Sequence, residues 1–464
     1  MQVPKRRLRS PMGFRRRNRV QFLVVFVLCF VLFYDCFLPH HSFRPHSKHD
    51  SKDLRCPRSA ISGDVLVVVR TGATEALEKL PVHFETTLRC VPNFVVYSDL
   101  EEDIQGHHVY DVLNEVSETL KASVQEFELY EQLRSRGRQG LNSTTHLGSG
   151  PSGSLENPSW KLDRFKFLPM VNKALQHRPT AKWFIFIEAD TYLGWNNLLE
   201  YLTRFDSNRN YYIGKQMYIG EVLFAHGGSG FVLSAAAMRT VTDHWKAHII
   251  EYDKYTAESW AGDMVLGKVL RDVGVQLLWA FPHFQGDPVS SLDHNVTKVD
   301  RRPWCYAPIT YHHMRESEIR KLWAFEQTWQ RNGRGVLRHR DVFMEYIIPN
   351  LATKIDGWDN LSMDIETGTT ESLEACQELC RAKDDCLQYS FIAGICSTST
   401  DIRYGNDSST RCVEYSVAAS KCIRWQEEVN EGDIVQSGWM IERLAQYMER
   451  MDSLCQGKQN MWVV

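Results

Sequence analysis

The chain has 464 residues, 54 basic against 57 acidic, and 12 cysteines. That near-neutral balance gives no sign of nucleic-acid binding, since the one dense positive cluster, at the amino end, abuts an apolar segment and is explained by membrane topology. About 425 residues beyond that segment are enough for two domains, or for one large domain and a small one.

Lys5, Arg6, Arg7, Arg9, Arg15, Arg16, Arg17 and Arg19 precede an apolar run over 22–34 that extends to 20–38. At a rise of about 1.5 Å per residue, the longer version nearly crosses a thin bilayer core of roughly 27 Å. This order predicts a cytoplasmic tail over 1–19, a signal anchor over 20–38 and a luminal remainder. A cleaved signal peptide shares the layout, but Cys36-Phe37-Leu38-Pro39-His40-His41 offers no pair of small residues for cleavage, which favours the single-pass type II anchor. Residues 39–60, rich in His, Lys, Ser and Pro, read as a stem. Seven cysteines crowd the last ninety residues, a density typical of disulfides and of export. Asn142, Asn295, Asn360 and Asn406 begin Asn-x-Ser/Thr triplets that a luminal location would make available for glycosylation.

From residue 61 the pattern is α/β. A strand is expected over 64–69, a helix around 75–80, and a second strand over 94–97 ending in Ser98-Asp99; this order suggests βαβ units and a mostly parallel sheet. Residues 109–133 have helical spacing and predict one long helix or two. Residues 137–159 break the periodicity and read as a mobile surface loop inserted in the domain. A helix over 160–176 directs Phe165, Leu168 and Met170 to a core, and the dense run 183–187 reads as a buried strand. Later expectations are a helix over 195–205, a strand over 211–218, a helix from Ala235, a helix over 263–273, a strand over 275–279 and an edge strand over 304–311. The composition shifts at about Pro349.

Glu188-Ala189-Asp190 follows the buried strand. Residues two apart on a strand point the same way, so Glu188 and Asp190 can present both carboxylates to one side, at the strand end where open α/β sheets bind ligands. Two hard oxygen ligands there suit Mg²⁺ or Mn²⁺ bridging a diphosphate. An ordinary polar loop would look the same in isolation. Gly227, Gly228 and Gly230, around Ser229, permit a sharp turn and close approach of backbone to a ligand. A tight strand-to-helix connection needs the same residues.

Phe186-Ile187-Glu188-Ala189-Asp190-Thr191-Tyr192, Gly227-Gly228-Ser229-Gly230-Phe231-Val232-Leu233-Ser234 and Ala261-Gly262-Asp263-Met264-Val265-Leu266-Gly267 occur in that order. Together they resemble the Fringe-like and core 1 β1,3-galactosyltransferase group, glycosyltransferase family 31, over roughly 61–345. The resemblance implies a GT-A type nucleotide-diphospho-sugar transferase fold over 61–348, a UDP-sugar donor, a glycoprotein or glycolipid glycan acceptor, Mn²⁺, a Golgi membrane location, and inversion at the anomeric carbon with a β1,3 linkage. Family members usually carry three consecutive aspartates where this chain has Glu188, Ala189 and Asp190. Asp190 then corresponds to the direct metal ligand, while Glu188 acts through water or holds the donor. Asp263 matches the general base, although Asp is also a good cap for a helix beginning near Met264. The resemblance implies a histidine as third ligand: His283 is the first choice, with His312 and His313 in reserve. It places nucleotide contacts at Arg70, Thr71 and Asp99. Lys166 could approach the diphosphate or simply be solvated. The glycine loop and Trp260 would line the cleft rim; Trp260 could stack on an acceptor sugar or pack in the core.

Cys376, Cys380, Cys386 and Cys396, with Cys412 and Cys422 following, lie in 349–464, which resembles a PAN/Apple module: a helix over 373–381 stapled by disulfides to a small sheet. Luminal cysteines at irregular spacing favour disulfides over zinc. The odd count leaves Cys455, or another, for an interdomain bridge, an intermolecular bridge or a free thiol. The leading expectation is a membrane-anchored hexosyltransferase. Its alternative is a non-catalytic, membrane-tethered lectin or scaffold, favoured by the missing middle aspartate and the recognition-like tail.

Overall fold

Val65–Arg70 (β1) is apolar on both faces because both are covered. Val65, Val67 and Val69 enter one hydrophobic layer, and Leu66 and Val68 enter the other. The computed structural model describes residues 54, 56–141, 158–408, 411–416, 421–426, 434–455 and 461–464, of which 158–159, 411–416 and 421–426 are described by their backbone alone. The expected tail and anchor, most of the stem, Asn142 and most of the 137–159 loop lie outside the described residues. Among the described residues, no helix is long and apolar enough to cross a membrane.

Further strands are Phe94–Ser98 (β2), Glu102–Ile104 (β3), His107–Asp111 (β4), Trp183–Glu188 (β5), Tyr192–Leu193 (β6), Tyr212–Gly214 (β7), Gln216–Ile219 (β8), Val222–Ala225 (β9), Phe231–Ser234 (β10), Leu277–Trp279 (β11) and Thr310–Tyr311 (β12). Among the described residues, eight of them form one sheet in the order β11-β7-β10-β5-β1-β2-β4-β3. The sheet is mostly parallel, as expected: β11, β7, β5, β1, β2 and β4 run the same way, and β10 and β3 oppose them. The expected helix over 109–133 fails at its start. Val109 is fully buried in β4, paired with Val96, and two short helices, Glu118–Ser123 and Phe127–Arg136, follow. The expected strand over 211–218 divides into β7 in the sheet and β8, which forms a hairpin with β9.

Helices Phe167–His177, Ala235–Ala247 and Gly262–Asp272 cover one face of the sheet; Ala76–Glu85 and Trp195–Leu202 cover the other. Ser234 ends β10 and caps the helix that follows, its Oγ accepting the Ala237 N–H at 3.2 Å.

In the carboxyl-terminal part, Ile355–Asp356, Gln436–Trp439, Gln388–Ile392, Ile395–Ser399 and Asp364–Ile365 form an antiparallel sheet in that order. Helix Leu373–Arg381 is tied to it by Cys376–Cys396, and Cys380–Cys386 fastens the helix end. Strands Arg411–Ser416 and Lys421–Gln426, which carry Cys412 and Cys422, pair antiparallel; those two side chains lie outside the described set. Cys455 bonds Cys305, and Cys56 bonds Cys90. Trp439, Tyr447 and Met451 share an apolar cluster with Trp304 and Phe343, while Arg340 grips Asp452 at 2.6 and 2.8 Å. Asn360 is corrected as a glycosylation candidate. It is fully buried, and its Nδ2 donates to the carbonyls of Tyr389 (3.0 Å) and Gly438 (3.2 Å), leaving no room for a glycan. Asn406 is also buried, and Asn295 Nδ2 donates to Asp401 at 2.8 Å.

Candidate active site

Parallel pairing sets Arg70 beside Tyr97 and Glu188, so the carboxyl ends of β2, β1 and β5 share one edge of the sheet. Because β10 runs the other way, its amino end meets the same edge, bringing Gly227–Gly230 there just before Phe231 pairs with Phe186. This edge is where an open α/β sheet offers a crevice. Asp99 is buried, and its Oδ1 accepts the Ala73 N–H at 2.6 Å. Lys166, also buried, donates to the Thr71 carbonyl at 2.8 Å and lies 3.4 Å from Asp99 Oδ2.

Glu188 forms an ion pair with Arg70, which also pairs with Asp163 and rests over the Phe167 ring at 4.2 Å. Burial opposes ionisation of Glu188, but the Arg70 charge and His312 outweigh it and hold the carboxyl down at about 2. Asp190 Oδ1 lies 3.3 Å from His312 Nε2; Asp190 Oδ2 lies 3.8 Å from His313 Nδ1 and 3.2 Å from Lys79 Nζ. Against burial, Lys79 and His312 keep Asp190 well below the ordinary carboxylate value. Burial pulls His312 down too, yet Asp190 and Glu188 raise it to about 9. His313 holds φ at +56°, a region non-glycine residues seldom occupy and one that collects at functional sites.

Asp190, His312 and His313 each offer a ligand atom, all within 4.8 Å of one another. His312 Nδ1 is buried with no hydrogen-bond partner among the described residues. One carboxylate oxygen and two imidazole nitrogens form a donor set that suits Mn²⁺ better than Mg²⁺. The residues therefore fit a divalent transition ion.

The glycine loop joins this cluster to a second carboxylate. Asp263 lies in the first turn of helix Gly262–Asp272, whose N-cap is Ala261 rather than Asp263. Its Oδ2 accepts the Gly227 N–H at 2.8 Å, and its Oδ1 the Met264 N–H at 2.9 Å. Burial raises the carboxyl to about 6, against the Gly227 hydrogen bond and the Arg70 charge. A Cβ on Gly227 would lie 3.3 Å from both Arg70 Nη2 and Asp263 Oδ2, and one on Gly228 would enter the His312 ring. Two adjacent glycines thus pack against the ionised cluster on one side and the raised carboxylate on the other.

A sequence model of the Fringe-like family matches residues 62–326, more than half of the chain. The chain belongs to the Fringe-like family. This is a family of glycosyltransferases, often metal-dependent, and membership implies a nucleotide-sugar donor and a glycan acceptor. Every site residue described above falls within the matched span.

Several residues expected in this Fringe-like site stand differently. His283 is not with Asp190. It is fully buried, Nδ1 bonded to the Ala307 carbonyl at 2.6 Å and Nε2 accepting the Val463 N–H at 2.9 Å, so neither nitrogen is free for an ion. Its role is to hold chain. The His283 carbonyl accepts the N–H groups of Ile309 and Thr310, and β12 leads directly to His312 and His313. Lys166 is buried under the first loop rather than solvated. Ser229 spends its hydroxyl on His226 Nδ1 at 2.8 Å. Trp260 is 59% exposed beside the Asp263 turn, so core packing does not hold it. Sequence reading missed Lys79 altogether. Its only signal is its place one helical turn after Glu75, to which Nζ is bonded at 2.8 Å.

Proposed function

We propose that this Fringe-like chain transfers a hexose from a UDP-sugar to a glycan hydroxyl with inversion, forming a β1,3 linkage on a glycoprotein or glycolipid. Asp190, His312 and His313 would hold Mn²⁺, and the ion when bound would neutralise charge on the departing diphosphate. Asp263, lifted to about 6, is ionised at neutral pH yet basic enough to take the acceptor hydroxyl proton as that oxygen bonds to the anomeric carbon and the carbon–diphosphate bond breaks. Arg70 holds Glu188 ionised and in place at the donor end of the cleft. The Gly227–Gly228 backbone, bare of side chains, lets the Asp263 carboxylate and the His312 ring pack against one loop. Exposed Trp260 offers an aromatic face to the acceptor. The proposal includes a Golgi membrane location, and a PAN/Apple-like recognition role for residues 349–464.

The observation supporting this reading most strongly is that Asp263 and His312 press on adjacent glycines of one loop. Its test is UDP release from a panel of UDP-hexoses and UDP-N-acetylhexosamines, with varied glycan acceptors, with and without Mn²⁺. Turnover requiring both acceptor and metal is expected. A folded chain that binds these sugars but never releases UDP would favour a lectin and overturn the proposal.

A further inference from the structure

Lys79 is the fourth residue of helix Ala76–Glu85, its side chain 24% exposed, between two carboxylates. Glu75 Oε2 is 2.8 Å from its Nζ, and Asp190 Oδ2 is 3.2 Å away. That Asp190 oxygen is the one facing His313 Nδ1. An ammonium and a divalent ion on the same carboxylate repel one another strongly where water is scarce. Nζ bonds both Glu75 and Asp190, so Glu75 alone is left to it when an ion takes the Asp190 oxygen. The ammonium therefore has to find another anion when the ion arrives.

We propose that Lys79 is a tethered counter-ion of Asp190 that transfers to the donor's diphosphate when the metal site fills, so that ion and nucleotide bind as a coupled pair. The inference rests on the UDP-sugar reading given above. Glu75, one turn back on the same helix face, keeps Nζ at the site while the flexible four-carbon stem swings it from carboxylate to phosphate. The exchange needs no movement of the helix. It makes Lys79 a diphosphate-binding residue outside the acidic motif, and gives the vacated oxygen of Asp190 to the ion.

The test is titration of the full chain with Mn²⁺, followed by the electron paramagnetic resonance of free Mn²⁺, with and without UDP. Matching UDP titrations are followed by calorimetry. In the wild type, UDP should tighten Mn²⁺, and Mn²⁺ should tighten UDP by the same factor, about tenfold or more. Lys79→Met should bind Mn²⁺ alone more tightly than the wild type and lose most of the enhancement by UDP. Lys79→Arg, which keeps the charge, should retain it. Glu75→Gln, which leaves Asp190 as the sole carboxylate partner, should weaken Mn²⁺ binding without UDP and enlarge the enhancement; it also serves if Lys79→Met melts early. Unchanged coupling in folded Lys79→Met, or in Glu75→Gln if that is the folded variant, overturns the inference and leaves the donor reading standing. A folded wild type that binds Mn²⁺ but not UDP overturns the donor reading and the inference with it.

Discussion

Gly228→Ala tests the packing on which the proposed metal site depends. A Cβ at this position would lie 2.7 Å from His312 Nδ1 and closer still to Cε1 and Nε2. Ordinary carbon contacts are about 3.5–4.0 Å, so the imidazole must retreat by an ångström or more. It cannot do so and keep its neighbours: Nε2 is held 3.3 Å from Asp190 and 3.6 Å from Glu188. Metal–nitrogen bonds tolerate only about 0.2 Å of error, so the ring is lost as a ligand. Disturbing a single supporting partner of a metal ligand already costs about 10–100-fold in affinity, and displacing the ligand itself should cost at least about a hundredfold. Overpacking alone costs about 1–3 kcal/mol of stability. Mn²⁺ titration by paramagnetic resonance, with melting by circular dichroism, separates the two effects. Gly335→Ala is the control, because a Cβ there meets nothing within 4 Å and the residue lacks positive φ. A folded Gly228→Ala chain that binds Mn²⁺ like the wild type would refute the assignment of His312 to the ion.

Asp263→Asn keeps an oxygen to accept the Gly227 N–H and gives up only the contact to the N–H of its neighbour Met264, so it should fold and bind UDP while losing about 10²–10⁴ in turnover; the wild-type kcat/KM should fall below about pH 6, where the carboxylate takes up its proton. Glu326, buried against the Tyr192 hydroxyl, is raised by burial from 4.5 to about 7. The unfolded chain therefore releases this proton first as pH rises, and stability falls between about 4.5 and 7 and then levels off. Glu326→Gln should accordingly be stabilised relative to the wild type by about 2–3 kcal/mol at pH 8 and by little at pH 4, as read in denaturant titrations. His283→Ala should destabilise the chain by about 2–4 kcal/mol by leaving the Val463 N–H and Ala307 carbonyl unpaired, whereas a direct ligand would show its main effect in Mn²⁺ affinity of the still-folded fraction.

The central strand and its acidic end were legible because apolar density and position relative to the strand are properties of a few adjacent residues. Trp183 to Glu188 and helix Leu373–Arg381 lie where the pattern puts them. Strand direction is not such a property. Nothing in Phe231-Val232-Leu233-Ser234 says that it opposes β5, and only that reversal brings the glycine loop to the acidic edge. The short β4, with His107, His108 and Tyr110 among its five residues, was absorbed into a helical spacing that continued beyond it. The histidine ranking failed for a similar reason. His283, His312 and His313 look alike in sequence, and what disqualifies His283 is a backbone N–H 180 positions away. Cys455 finds Cys305 across a separation of 150, which selects the bridge between the carboxyl-terminal part and the matched region from the alternatives the odd count left open.

The missing middle aspartate was the sequence's best argument for a chain that binds sugar without turning it over. Along β5, Phe184 and Phe186 enter one apolar layer and Trp183, Ile185 and Ile187 the other. Glu188 continues the first series, toward Arg70 and the helix bearing Asp263; Ala189 continues the second and is 1% exposed among Ile187, Leu193 and Trp195. Its backbone is occupied as well, the N–H donating to the Arg70 carbonyl and the carbonyl bonded to His83. A side chain at 189 points away from the metal cluster, so alanine there removes no ligand oxygen, and a carboxylate would add a buried charge costing several kcal/mol. The substitution therefore bears on the packing behind the site. What remains beside it is the Asp263 carboxylate, raised to about 6 by burial and fixed by a backbone N–H on the glycine loop. The proposed proton transfer needs that carboxylate and that position, and alanine at 189 takes nothing from either.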